Sequence, residues 1–123
     1  MNLNRSDLRV GNLIHQNNSV IKVLHNDLLL VEIRPEDYVP IKLDKSWLKR
    51  LGFVSSLGEN WWVEIEDEET IHTMCVRYLK DRIVFWVPYG TDGEFVEVCD
   101  VEYVHQLQNL FFTINGKELE WAL

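Results

Sequence analysis

Residues 103–119, YVHQLQNLFFTINGKEL, restrict the fold more than any other part of the chain. With Val104 at zero and a step of 100° per residue, Tyr103, Leu107, Leu110, Phe111 and Ile114 spread to one side. Val101 and Phe112 fall on the other flank, so the apolar arc spans roughly 200°, against the stripe of about 100° that a surface helix needs. A helix this apolar must be covered on most of its circumference. The pattern predicts a core helix over 101–114, capped by Asp100, ended by Gly116 and laid across a sheet. Gln108 falls inside the arc and is expected to be a buried amide satisfied by backbone groups. His105, Gln106, Asn109 and Thr113 leave an uncharged remainder, a candidate face for contact with a loop or a second subunit.

The sheet is expected from the residues before this helix. FVSSL and WWVEIE flank GEN as a hairpin, and TIHTMCVRYL, RIVFWVPYG and EFVEV follow with short turns. That spacing predicts a four-stranded antiparallel meander. Upstream, LDKSWLKRLGF predicts a short helix: Asp44 as N-cap, Trp47, Leu48 and Leu51 as its apolar face, and Gly52 left-handed at the end. Lys45, Lys49 and Arg50 lie on its open side as a candidate basic helix. The first 40 residues read as a β-meander. Asn17-Asn18 mark a tight turn, LLLVEI reads as a strand buried on both faces, and RPEDYVP reads as a loop. Three strands opening on a Gly-Asn step have the look of an SH3-like barrel. The expected class is therefore α+β, in one domain over residues 1–123.

Charge is unevenly placed along the 123 residues, which carry a net −8. Up to Gly58 there are eight Lys/Arg against six Asp/Glu; from Glu59 onward there are four against fourteen. The acidic part should repel nucleic acid and anionic lipid. Glu64, Glu66, Asp67, Glu68 and Glu69 form a candidate acidic patch. The N-terminus lacks an apolar signal segment, no run approaches a membrane span, and Cys75 and Cys99 are too few for a disulfide framework. A cytoplasmic protein with free thiols and no membrane association is expected.

The 103–119 stretch also resembles the C-terminal signature of a group of short uncharacterised proteins of gut-type bacteria, many carried by prophages and other mobile elements. Those proteins end in a Tyr-Val-His-Gln-Leu-Gln-Asn-Leu-aromatic run followed by Thr-Gly and Glu-Leu. DLRVGN and LDKSWLKRLGF match more loosely, and this chain departs with Ile114-Asn115-Gly116 before Lys117. The resemblance implies origin and host context, not mechanism.

Chemical motifs are sparse. His72 and Cys75, three apart on a strand, point to opposite faces and cannot chelate one ion there. Cys99 and His105 could form a nucleophile pair if Cys99 ends a strand beside the helix N-terminus, but no orienting third group is evident. The six glycines are scattered among turns, without a phosphate-cradling loop. No enzymatic constellation, metal site or cofactor is expected. The function expected is that of a small accessory or adaptor protein of phage or mobile-element type, a monomer or weak homodimer, acting by contact with a protein partner the sequence does not identify. The alternatives are an acidic mimic of nucleic acid that inhibits a host protein, and a weak nucleic-acid binder through the Lys45 to Arg50 helix.

Overall fold

The computed structural model describes residues 3–55, 59–66, 71–89 and 94–121. Its first sheet starts from the asparagine pair: Asn17 and Asn18 take φ of 49° and 68°, so a two-residue turn joins β1 (Leu13–Gln16) to β2 (Ser19–Lys22). Two positive φ values give the turn the twist that antiparallel strands require. β3 (Tyr38–Val39) pairs with the free side of β1, for the order β2-β1-β3.

The run LLLVEI is not a strand. It belongs to α1 (His25–Ile33), and one 3-10 turn, Pro35–Asp37, follows within the stretch expected to be a loop. The Asp27 carboxylate accepts the Leu24 backbone N–H at 2.8 Å, which satisfies an orphan donor of the first turn. His25, Asn26 and Asp27 are therefore the first turn of a helix. A short apolar run has no period that separates strand from helix, and consecutive leucines favour the helix. Only Val31 of α1 is fully buried, whereas Leu29 and Ile33 are 54% and 62% exposed. The N-terminal strands thus form a small sheet with a helix between β2 and β3, where a barrel start had called for a third continuous strand.

α2 (Lys45–Arg50) follows the sequence closely. The Asp44 carboxylate accepts the Trp47 N–H at 2.8 Å, Gly52 has φ of 90°, and the Phe53 N–H returns to the Leu48 carbonyl at 2.9 Å. This is a Schellman end, and Phe53 and Leu48 are both buried in one core. The second sheet runs β4 (Val54–Ser55), β5 (Asn60–Glu66), β6 (Ile71–Tyr78), β7 (Ile83–Tyr89) and β8 (Glu94–Asp100), all antiparallel neighbours. β4 is the FVSSL arm of the expected hairpin, and with it the sheet has five strands where a four-stranded meander is expected. α3 (Val104–Asn115) closes the chain, with Gly116 left-handed after it.

The main core lies between one face of the large sheet and two helices. Trp61, Val63, Met74, Val76, Ile83 and Phe85 meet Trp47 and Leu48 of α2 and Val104, Leu107 and Phe111 of α3. A smaller core gathers Leu3, Leu8, Ile14, Val23, Val31 and Tyr38. Leu13 belongs to the first core and Ile14 to the second, as the alternation of a strand demands. The small sheet is thus a wall shared by both.

α3 starts later than expected. Asp100 stays in β8, and the Gln106 carboxamide oxygen accepts the N–H groups of Glu102 and Tyr103 at 2.9 and 3.0 Å, doing the capping. Gln108 is buried as expected. Its carboxamide accepts the Leu13 N–H at 2.8 Å and donates to the Gly11 carbonyl at 3.3 Å. Gly11 has φ of 101°, and a Cβ there would stand 3.0 Å from a Glu118 carboxylate oxygen. Glycine is therefore required at that step.

Replacing Gln108 by Leu leaves the Leu13 N–H buried without an acceptor and should cost about 1–3 kcal/mol. Gln108→Glu should cost more at neutral pH, because a buried carboxylate is desolvated and faces the Gly11 carbonyl. Urea unfolding of both variants checks this; equal midpoints would contradict the paired role of the amide.

Candidate functional site

The expected interaction face of α3 is only partly a surface. His105 is 1% exposed, Gln106 is spent on the helix start, and Asn109 accepts from the buried Asn12 amide at 2.8 Å and donates to the Asp7 carbonyl at 3.2 Å. Of the four, only Thr113 is exposed. The four residues do share one place, since all line a groove of about 420 Å³ between α3, the end of β8 and the Ser6-Asp7 turn. A helix wheel counts only the helix's own residues, and the turn that covers His105 lies almost a hundred positions earlier.

Cys99 and His105 are brought to this same groove. The thiol pKa is nevertheless raised, first by partial burial and then by the neighbouring Asp100 carboxylate. That is the reverse of what an activated thiolate requires. Burial lowers the His105 pKa, and the Asp7 carboxylate opposes the shift. Its ring stacks on Tyr103 with centroids 5.9 Å apart, and its Nδ1 is buried without a hydrogen-bond partner. His105 is thus a neutral imidazole holding an unused polar atom. Both cysteines are free thiols, Cys75 buried and Cys99 exposed. Among the described residues no group of three His, Cys, Asp or Glu is placed to hold a metal ion, and the His72 side chain lies outside the described residues.

A second surface was missed in the sequence. Strand pairing aligns Val54, Trp62, Cys75, Trp86 and Glu97 in one row across all five strands, on the face opposite the main core. Directly paired residues share a face. Neither α2 nor α3, which pack on the inner face, nor α1, which packs in the small core, contributes to this row. Phe95 stands edge-on to Trp62 at 4.8 Å, and the Arg77 guanidinium lies 4.9 Å from the Trp86 ring centroid. The indole N–H of Trp86 is buried with no acceptor. These rings and the long Arg77 side chain shield Cys75 and Val84, which are buried yet belong to neither core. The signal was present in NWWVEIE: two adjacent tryptophans on a strand cannot both face the core.

Exposed carboxylates border that row. Glu64 and Glu66 of the expected acidic patch lie on β5, in step with Trp62, while Asp67, Glu68 and Glu69 lie outside the described residues. Arg82 contacts Glu97 at 3.6 Å and Asp100 at 3.3 Å. The expected basic helix is weaker than its sequence suggests. The Arg50 guanidinium sits 3.9 Å from the Trp47 ring and 5.2 Å from Trp121, and Lys45 lies 5.2 Å from Tyr78. Two of the three cations are thus held on aromatic faces belonging to the core margin.

Among the described residues no helix is long and apolar enough to cross a membrane. Comparison of the chain with protein-family models, with characterised proteins and with solved structures finds no match.

The buried imidazole makes stability depend on pH. Its folded pKa lies below the unfolded value of 6.5, so below that value the unfolded chain takes up a proton that the folded one refuses. The contribution is complete above pH 6.5 and is lost as the pH falls through the folded pKa. His105→Gln should therefore lose less melting temperature than the parent between pH 7.5 and about 5 (a window spanning the ordinary imidazole value). Parallel melting curves for the two proteins over that window would refute the assignment.

Proposed function

We propose that this protein is a non-enzymatic adaptor that works by contact with another protein, through the outer face of its five-stranded sheet. The aromatic row Trp62–Trp86 with Phe95, bordered by Glu64 and Glu97, carries the reading. Flat rings without a helix over them are the usual anchors of a protein interface. The carboxylates beside them select against phosphate and favour a basic partner. The Arg77 guanidinium, 4.9 Å from the Trp86 ring centroid and beside an acidic strand, supports this choice of partner. An arginine from a partner would meet the same two features. The resemblance of residues 103–119 to proteins of prophages and mobile elements supports a setting in a bacterial cytoplasm, with a host or element-encoded protein as the partner.

Trp62→Ala and Trp86→Ala should each weaken binding of arginine-rich peptides by about 30-fold, the size of an interface hot spot of about 2 kcal/mol. Fluorescence titration with arginine-rich, neutral and acidic peptides, and with a single-stranded oligonucleotide, tests the reading. Circular dichroism of each variant separates lost contact from lost fold. Tighter binding of the oligonucleotide than of the arginine-rich peptide would refute it, since stacking would then outweigh the acidic border.

A further inference from the structure

We propose that β8 is the docking edge for an extended, basic segment of the partner protein, which adds to the large sheet as a sixth strand and lowers alternate side chains into the α3 groove. This rests on the reading of the protein as an adaptor and specifies how its partner is held.

β8 closes the strand order on one side, so the outward N–H and C=O groups of its seven residues are unclaimed by the sheet. The opposite edge, β4, has only two residues. Six of the seven residues of β8 are exposed, and Val96 and Val98 are each 44% exposed. A register shift between Phe85 and Trp86 bends the pairing at mid-strand, but β8 carries neither the Lys nor the Pro that commonly blocks such an edge. A new strand would lie about 4.8 Å beyond β8. There, the end of β8 already forms a wall of the groove with Cys99 and Asp100, facing Asn109, Leu110 and Thr113.

Charge identifies the occupant. β8 carries Glu94, Glu97 and Asp100 and no cation of its own, and the groove adds Asp7. Arg82 is already engaged with Glu97 and Asp100. A second copy of β8 in antiparallel two-fold pairing would bring carboxylates against carboxylates, which is unfavourable. A strand with basic residues at alternate positions would extend the row Trp86–Glu97 outward on one face. On the other face, the intervening apolar side chains would reach the groove beside Leu110 and Thr113.

The test uses the whole protein and two capped heptapeptides, one alternating Arg with Val and one alternating Glu with Val. Each is also made in two forms with its backbone N-methylated at one or the other set of alternate residues. Exposed Cys99 serves as reporter through its alkylation rate, buried Cys75 reports whether the fold stays closed, and amide exchange follows residues 94–100. The Arg peptide is expected to slow Cys99 alkylation at least tenfold at saturation and to protect β8 amides, with Cys75 unchanged. One N-methylated form should lose the effect and the other keep it, the signature of strand pairing. Binding that leaves Cys99 and β8 unprotected, or that tolerates both methylation patterns, overturns strand addition while leaving the adaptor reading intact. Equal protection by the Glu peptide overturns the basic occupant. Absence of binding by every peptide overturns both.

Discussion

One side-chain amide joins the two ends of this chain. The Gln108 carboxamide accepts the Leu13 N–H and donates to the Gly11 carbonyl, so it occupies the place that a neighbouring strand would take beside β1. Around it Arg9 reaches the Gln108 carbonyl at 3.3 Å, ion-pairs with Glu118 and lies 4.3 Å from the Phe112 ring. Asn12 links Arg9 to Asn109, accepting the Arg9 N–H at 2.7 Å and donating to the Asn109 oxygen at 2.8 Å. The Arg9 Nε has no acceptor, but the carboxamides of Asn12, Gln108 and Asn109 are paired with one another and with backbone groups, and that set of bonds fixes one register of helix against sheet. The DLRVGN segment and the HQLQN helix, far apart in sequence, are the two halves of that seam.

The seam also sets the geometry of the surfaces. With α3 held against β1, its neighbours along the helix form one wall of the groove beside β8. The inner face of the large sheet is then filled by two helices, and its outer face must be protected by its own side chains. Trp62, Trp86 and Phe95 provide that protection over Cys75 and Val84. Rings that shield a sheet in this way still present flat, polarisable faces to whatever approaches.

Much of this architecture is legible from local chemistry. The cap at Asp44, the end at Gly52, the turn at Asn17-Asn18 and the burial of Gln108 follow from rules that involve a few neighbouring residues. What escaped the sequence has a common cause. LLLVEI lacks the periodicity to choose its structure, and Asp27 decides it through one bond to Leu24. His105 looks like a surface residue until the Ser6-Asp7 turn is placed over it. The tryptophan row exists only in the register of five strands, which no single segment contains. Asp100 has the chemistry of a helix cap, but the acceptor that wins, Gln106, lies one turn inside the helix.

β1 has a further consequence as the partition between two hydrophobic clusters. Leu13 and Ile14 are both fully buried although they are adjacent, because each faces a different cluster. Neither cluster can be opened without removing one side of the other's wall. Partial opening from the N-terminus is thereby penalised twice, which favours loss of structure in one concerted step. The most slowly exchanging backbone amides should then sit on a short four-residue strand near the beginning of the chain, as well as at the centre of the larger sheet. Small size and early position would ordinarily mark such a strand as the first to fray; here they mark the keystone.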